Sequence, residues 1–117
     1  MTRAETLEKA RRAVCGEREG EYGSPEDNFA RIAKLWNAYL GSEIVNAVDV
    51  SMMMSLLKIA RVKTGKGSDD SFIDLAGYAA CGAEIQSKER DASLKLAEVN
   101  TITAKSAFQT GSTYTTG

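Results

Sequence analysis

Four charged side chains interrupt two otherwise apolar stretches of this sequence. Lys58 and Arg61 are three residues apart, and Asp70 and Asp74 are four apart. At helical spacing each pair shares one face. The short turn KTGKGS between the two stretches makes them antiparallel neighbours, so both pairs should fall at the same end of a helical hairpin. Arg61 has a planar fork suited to phosphate oxygens, and Lys58 offers a compact charge beside it. Asp70 and Asp74 would hold Mg²⁺ or ribose hydroxyls; magnesium takes one or two carboxylates and completes its octahedron with water and phosphate. The alternative is purely structural: salt bridges, Arg61 with Asp74 or Lys58 with Asp70, tying two core helices together. Buried charge is costly unless paired, and apolar replacements are often neutral or stabilising. Four retained ionisable groups therefore lean toward a site.

A second group surrounds the start of another helix, in EYGSPEDN. Tyr22 would place its ring against a base, and Asn28 its amide on a base or sugar edge. Ser24, Pro25 and Asp27 are equally accounted for by helix capping, whereas Tyr22 and Asn28 are not needed for it.

What the chain lacks narrows the chemistry. It contains no histidine, which removes Ser-His-Asp and Cys-His nucleophilic machinery and most zinc sites. Any catalysis would rest on carboxylates, Lys, Arg or Tyr. A net charge of -1 argues against a broad basic footprint for duplex nucleic acid. No apolar run reaches the ~20 residues of a membrane span, and the charged start MTRAETLEKARR does not read as a signal peptide. Cys15 and Cys81 are far apart and form no CxxC motif. They read as small buried hydrophobes in a reduced, cytoplasmic setting.

The elements that must carry these residues are all helical. Thr2 and Glu5 form a capping box for a helix over about 3–15. Ser24-Pro25-Glu26-Asp27 starts a second helix, with Phe29, Ile32, Ala33, Trp36, Tyr39 and Leu40 as its apolar stripe and Gly41 as its stop. Phe29, Trp36 and Tyr39 read as core. Asn46 to Asp49 opens a third helix, VDVSMMMSLLKIARVKTG, apolar nearly all round and so expected to be central and buried. Its Met52-Met53-Met54 run reads as core or as an oligomer interface. Ser68-Asp69-Asp70 caps a fourth helix through about Gln86, rich in small residues that permit close packing. SKERDASLKLAEV extends that helix or forms a fifth. The expectation is thus an all-α domain of four to five helices over 1–97. A Ser/Thr/Gly-rich tail over 98–117 would be either mobile or docked on a neighbouring subunit.

With EYGSPEDNFARIAKLWNAYLG, VSMMMSLLKIARVKTG and DDSFIDLAGYAACGAEI in this order, the chain resembles an uncharacterised family of small phage and prophage proteins, over about residues 17–86. That family is in turn similar to the MazG-like all-α nucleotide pyrophosphohydrolases, through helical order and through Asp70 and Asp74. The resemblance implies a MazG-like bundle and a nucleotide ligand. MazG-like enzymes bind magnesium through an ExxE motif on one central helix and an ExxD-like motif on the next. Here Lys58 and Arg61 stand where the first set of acids is expected, and ExxE occurs only as Glu5 and Glu8. Half of the metal cage is therefore missing, and the resemblance favours nucleotide recognition over hydrolysis.

Three functions follow from these residues. The first is a phage-type nucleotide-binding protein, a sponge for a host nucleotide immune signal, with pockets shared between subunits of a homo-oligomer in the host cytoplasm. The second is a Mg²⁺-dependent pyrophosphohydrolase in which Asp70 and Asp74 hold the metal and Asp27 or Glu26 assists. The third is a helical interaction module with no small-molecule ligand, working through the methionine triplet and the tail.

Overall fold

The computed structural model describes residues 1–16, 20, 23–65 and 69–115, with side chains described as far as residue 107. Among the described residues it is all-helical, with no strand. The elements are α1 (Arg3–Cys15), α2 (Pro25–Leu40), α3 (Ala47–Lys63) and α4 (Asp69–Thr115).

Local chemistry sets the helix boundaries. At the start of α1 the Thr2 hydroxyl accepts from the Glu5 amide, whereas the return bond from the Glu5 side chain that would complete the expected capping box is not among the hydrogen bonds of the described residues. At the start of α2 the Ser24 hydroxyl accepts from the Asp27 amide, and Pro25 fills a first-turn position whose N–H would have no helical partner. Gly41 ends α2 in the left-handed region at φ 72°, where a side chain would be strained. A full capping box opens α3: Asn46 Oδ1 accepts from the Asp49 amide, and Asp49 Oδ2 from the Asn46 amide.

The connection from α2 to α3 hangs on one side chain. Asn37 donates to the Val45 carbonyl at 2.8 Å and accepts from the amides of Ile44 and Val45 at 3.2 and 2.9 Å. A loop's backbone groups need partners once they leave water, and this one amide supplies three of them.

The chain divides into two units, Met1–Gln86 and Ser87–Gly117. In the first, Phe29, Ala33, Ala47, Val50, Cys81 and Ile85 form the core, with Val14, Ile32, Trp36, Val45, Val48, Met54 and Tyr78 packed on it. Helices α3 and α4 run antiparallel, as the short turn requires. As residue numbers fall along α3 from Lys58 to Ser51, their partners rise along α4 from Asp74 to Tyr78 and Gly82. At Gly82 the helices meet so closely that an added Cβ would lie 2.5 Å from Ser51 Oγ. Ser51, fully buried, donates its hydroxyl to the Tyr78 carbonyl, and Ser55 donates to the Ser51 carbonyl at 2.9 Å.

Several expectations are corrected. Helix α3 is not buried all round: Ala47, Val50, Ser51 and Ser55 face inward, whereas Met52, Met53, Leu56, Leu57 and Ile59 are exposed. Apolarity on every face signals burial only where neighbours exist to cover every face. Of the methionine triplet, only Met54 packs on the core. Tyr39 is 92% exposed; ten residues on from Phe29 at 100° per residue, it lies about 80° off that residue's face. Cys81 is buried but Cys15 is exposed, because it ends α1 next to Gly16.

Residues 98–115, expected to leave the helical domain as a tail, continue α4. Extending a formed helix avoids the cost of nucleation, and Thr101 donates its hydroxyl back to the Ala97 carbonyl at 2.9 Å. In the second unit every side chain described, from Ser87 to Ala107, is exposed. No helix among the described residues is long and apolar enough to cross a membrane.

Candidate functional site

The first unit contains a pocket of about 280 Å³. Helix α1 lends it Ala13 and Val14, the segment entering α2 lends Gly23, and α2 lends Pro25, Asn28, Phe29 and Ile32. Met54 comes from α3, and Ile73, Asp74, Gly77, Tyr78 and Cys81 from α4. Phe29 and Tyr78 form its aromatic element, with ring centroids 6.1 Å apart and planes inclined by 37°. The spacing explains why α4 lines it. Asp74, Gly77, Tyr78 and Cys81 follow one another at three, one and three residues, which keeps them on one helical face.

Against this apolar lining stand a few polar groups. Asp74 reaches the pocket with its carboxylate held on one side by Lys58, whose Nζ lies 3.0 Å from Asp74 Oδ2. The Lys58 side chain is 13% exposed and that of Asp74 30%, so the pair is shielded enough to be a defined fixture. Among the described residues no side-chain hydrogen bond occupies the Asn28 amide. A mostly apolar concavity with a few convergent polar groups is the usual form of a small-molecule site.

The expected residues are distributed unevenly around it. Asn28 and Asp74 line the pocket, and Lys58, outside the lining, pairs with Asp74. Arg61 and Asp70 are exposed and are not part of the lining. Tyr22 lies outside the described residues. The ion pair that forms is neither of the two expected: Lys58 takes Asp74. Helical spacing assigns residues to faces, but the register between two helices decides which charges meet. Arg61 makes no ion pair among the described residues. Phe29 was expected only as core, and Tyr78 was not expected in a site at all; its place four residues after Asp74 was the available signal.

The acids do not assemble as a metal cage. No three His, Cys, Asp or Glu side chains gather as metal ligands among the described residues. Glu26 and Asp27 do not line the pocket. Glu8, half of the only ExxE motif, is bound on the surface of α1 by Arg11, at 2.7 and 3.0 Å, and by Arg12, at 3.3 Å. Hydrogen bonds from Arg11 and then Arg12 lower its carboxyl pKa to about 2. Asp74 itself is neutralised by a lysine. Asp70 is exposed and outside the pocket lining, and Asp74 is paired with Lys58.

Comparison with known proteins places the chain. The model of a domain of unknown function, DUF6378, matches residues 5–86. The chain belongs to this family. The matched stretch ends where the first unit ends, so the DUF6378 domain contains the whole pocket. Two curated relatives are phage proteins, in line with the expected likeness to small phage proteins. The Gene 55 protein of Mycobacterium phage D29 is 51% identical over 75 residues, covering 64% of this chain and 49% of the relative. The Gene 55 protein of Mycobacterium phage L5 is 39% identical over 83 residues, covering 71% and 53%. The chain thus spans about half the length of the curated relatives it matches. No solved structure matches it.

Proposed function

We propose that this DUF6378 protein binds a nucleotide or nucleotide-derived small molecule, with the base end in the pocket between α1, α2 and α4. The observation that carries the reading is the combination of Asn28, Asp74 and the Phe29–Tyr78 aromatic pair around one concavity of about 280 Å³. A carboxamide both donates and accepts, which suits a base edge. The Asp74 carboxylate accepts from an exocyclic amine or a sugar hydroxyl, and Lys58 keeps that carboxylate in place. Aromatic rings offer flat, apolar contact to a heterocycle.

The volume lies near the lower end of the ~300–1,000 Å³ typical of ligand pockets. It suits a base with its sugar rather than a dinucleotide, so phosphates would extend outward. Arg61, exposed one turn along α3 from Lys58, is the cation this reading assigns to them.

Binding without turnover is the form of this activity we favour. Phosphoryl and pyrophosphoryl transfer lean on metal-assisted charge neutralisation, and the expected acidic pair is split between a lysine-bound Asp74 and an exposed Asp70. In a protein akin to phage proteins, such binding would sequester a nucleotide, a host immune signal being the fitting class. The test is a thermal-shift screen of mono-, tri- and cyclic nucleotides and ADP-ribose-type compounds, followed by chromatography of each mixture after incubation with Mg²⁺. Stabilisation growing with ligand concentration and unchanged nucleotide is the expected pair of results. Release of pyrophosphate would replace sequestration with MazG-like hydrolysis. No shift with any nucleotide would leave a helical interaction module.

A further inference from the structure

The outward face of α3 carries a second pattern, on the side of the helix away from the pocket. Asp49, Met52, Leu56, Ile59 and Lys63 are spaced three, four, three and four residues apart. That is the spacing of the seam positions of a coiled coil. The three central residues are large and apolar, Leu56 being 62% and Ile59 49% exposed, while Met52 is 44% exposed and rests the end of its side chain near Gly82 of α4. Met54, which lines the pocket, lies about 200° around the helix from Met52.

Two features bear on what could cover this seam. Its ends carry opposite charges, Asp49 in the first turn and Lys63 in the last. Leu56 is also the midpoint between them, seven residues from each. Helices related by a two-fold axis at Leu56 and running antiparallel would set Asp49 against Lys63 of the partner subunit twice over. Met52 and Met53 would then interleave with the partner's Ile59 and Ala60. A closed two-fold interface must be self-complementary, with each contact made twice; the two end charges and Leu56 meet that condition, and Met53 and Ala60 beside the seam complete the apolar contact between them. Antiparallel packing also opposes the two helix dipoles favourably.

We infer that the protein forms a two-fold dimer through α3, packed antiparallel about Leu56 with Asp49–Lys63 pairs closing both ends. Asp49 can serve both roles, since its Oδ2 takes the capping-box hydrogen bond and its second oxygen remains for the lysine. The pocket, on the other side of α3, stays open in the dimer, so ligand binding and dimerisation are separable properties.

Sedimentation or light scattering of the full chain at ~0.2 mM tests this directly. The inference expects twice the chain mass of 12.6 kDa; a monomer at that concentration overturns it. Leu56→Glu, which sets two carboxylates at the axis, should give a monomer that keeps its helical circular dichroism, because Leu56 is exposed. Lys63→Ala should weaken the dimer about fivefold through the lost end pairs. Should Leu56→Glu lose its fold, Leu56→Cys in a Cys15→Ser background decides. Under mild oxidation it should form a covalent dimer on denaturing gels, while Lys34→Cys on α2 should not. A dimer that persists in folded Leu56→Glu, or that Leu56→Cys fails to cross-link, places the interface elsewhere and rejects the inference.

Discussion

Lys58 and Asp74 join α3 to α4 through a single contact of 3.0 Å, at the wall of the pocket and largely out of solvent. The pair is a tie between core helices, and its acid is one of the residues lining the pocket. Its structural part is measurable by itself. Lys58→Met should destabilise the fold by about 2 kcal/mol, between the value of an exposed pair and that of a fully buried one broken on one side. Adding Asp74→Leu should recover most of that loss in denaturant unfolding. A Lys58→Met variant as stable as the parent would show that the pair holds nothing together.

Asn37→Ala removes three hydrogen bonds from the α2–α3 connection. At about 1 kcal/mol each the expected loss is about 2–3 kcal/mol. Amide hydrogen exchange at Ile44 and Val45 should rise in this variant more than elsewhere in the first unit.

Gly82→Ala tests the close approach of α3 and α4. Alanine favours a helix by about 1 kcal/mol over glycine, yet here its Cβ would press on Ser51 Oγ and Cβ, at 2.5 and 3.1 Å. Ser51 is fully buried and donates to the Tyr78 carbonyl, so it has little room to yield. A net loss of about 1–3 kcal/mol is expected. A stabilised variant would mean that the two helices separate easily.

Glu8 gives a pH signature remote from the pocket. Its carboxyl pKa is lowered from 4.5 to about 2 by Arg11 and Arg12. The folded state therefore binds this proton less readily than the unfolded chain. The contribution is complete above about 4.5 and is lost as pH falls through about 2. A carbon-detected titration should find the Glu8 carboxyl midpoint well below that of ordinary glutamates, and high salt should move it back up.

The helix boundaries were legible in the sequence because caps are local. Thr2, Ser24 with Pro25, and Asn46 with Asp49 each act within four residues of themselves, and each occupies the expected position. The charged residues of α3 and α4 could be assigned to faces but not to partners. A choice between Asp70 and Asp74 depends on the axial register of two helices, which Gly82 and Ser51 set some distance away. The exposure of the outward face of α3 was not legible for a related reason: a sequence records apolarity but not the number of neighbours available to cover it. The role of Asn37 was not visible at all, since an asparagine inside a helical stripe carries no mark of the loop it holds seven and eight residues later.

The central claim is that Asn28, Asp74 and Tyr78 surround a nucleotide's base. An amide-resolved NMR titration of the protein with a nucleotide panel addresses it most directly. At least one nucleotide should shift a contiguous set of resonances including Asn28, Asp74, Gly77 and Tyr78, and Asn28→Ala should weaken that response without disturbing the fold. Shifts confined to other surfaces, or none with any nucleotide at millimolar concentration, would contradict it.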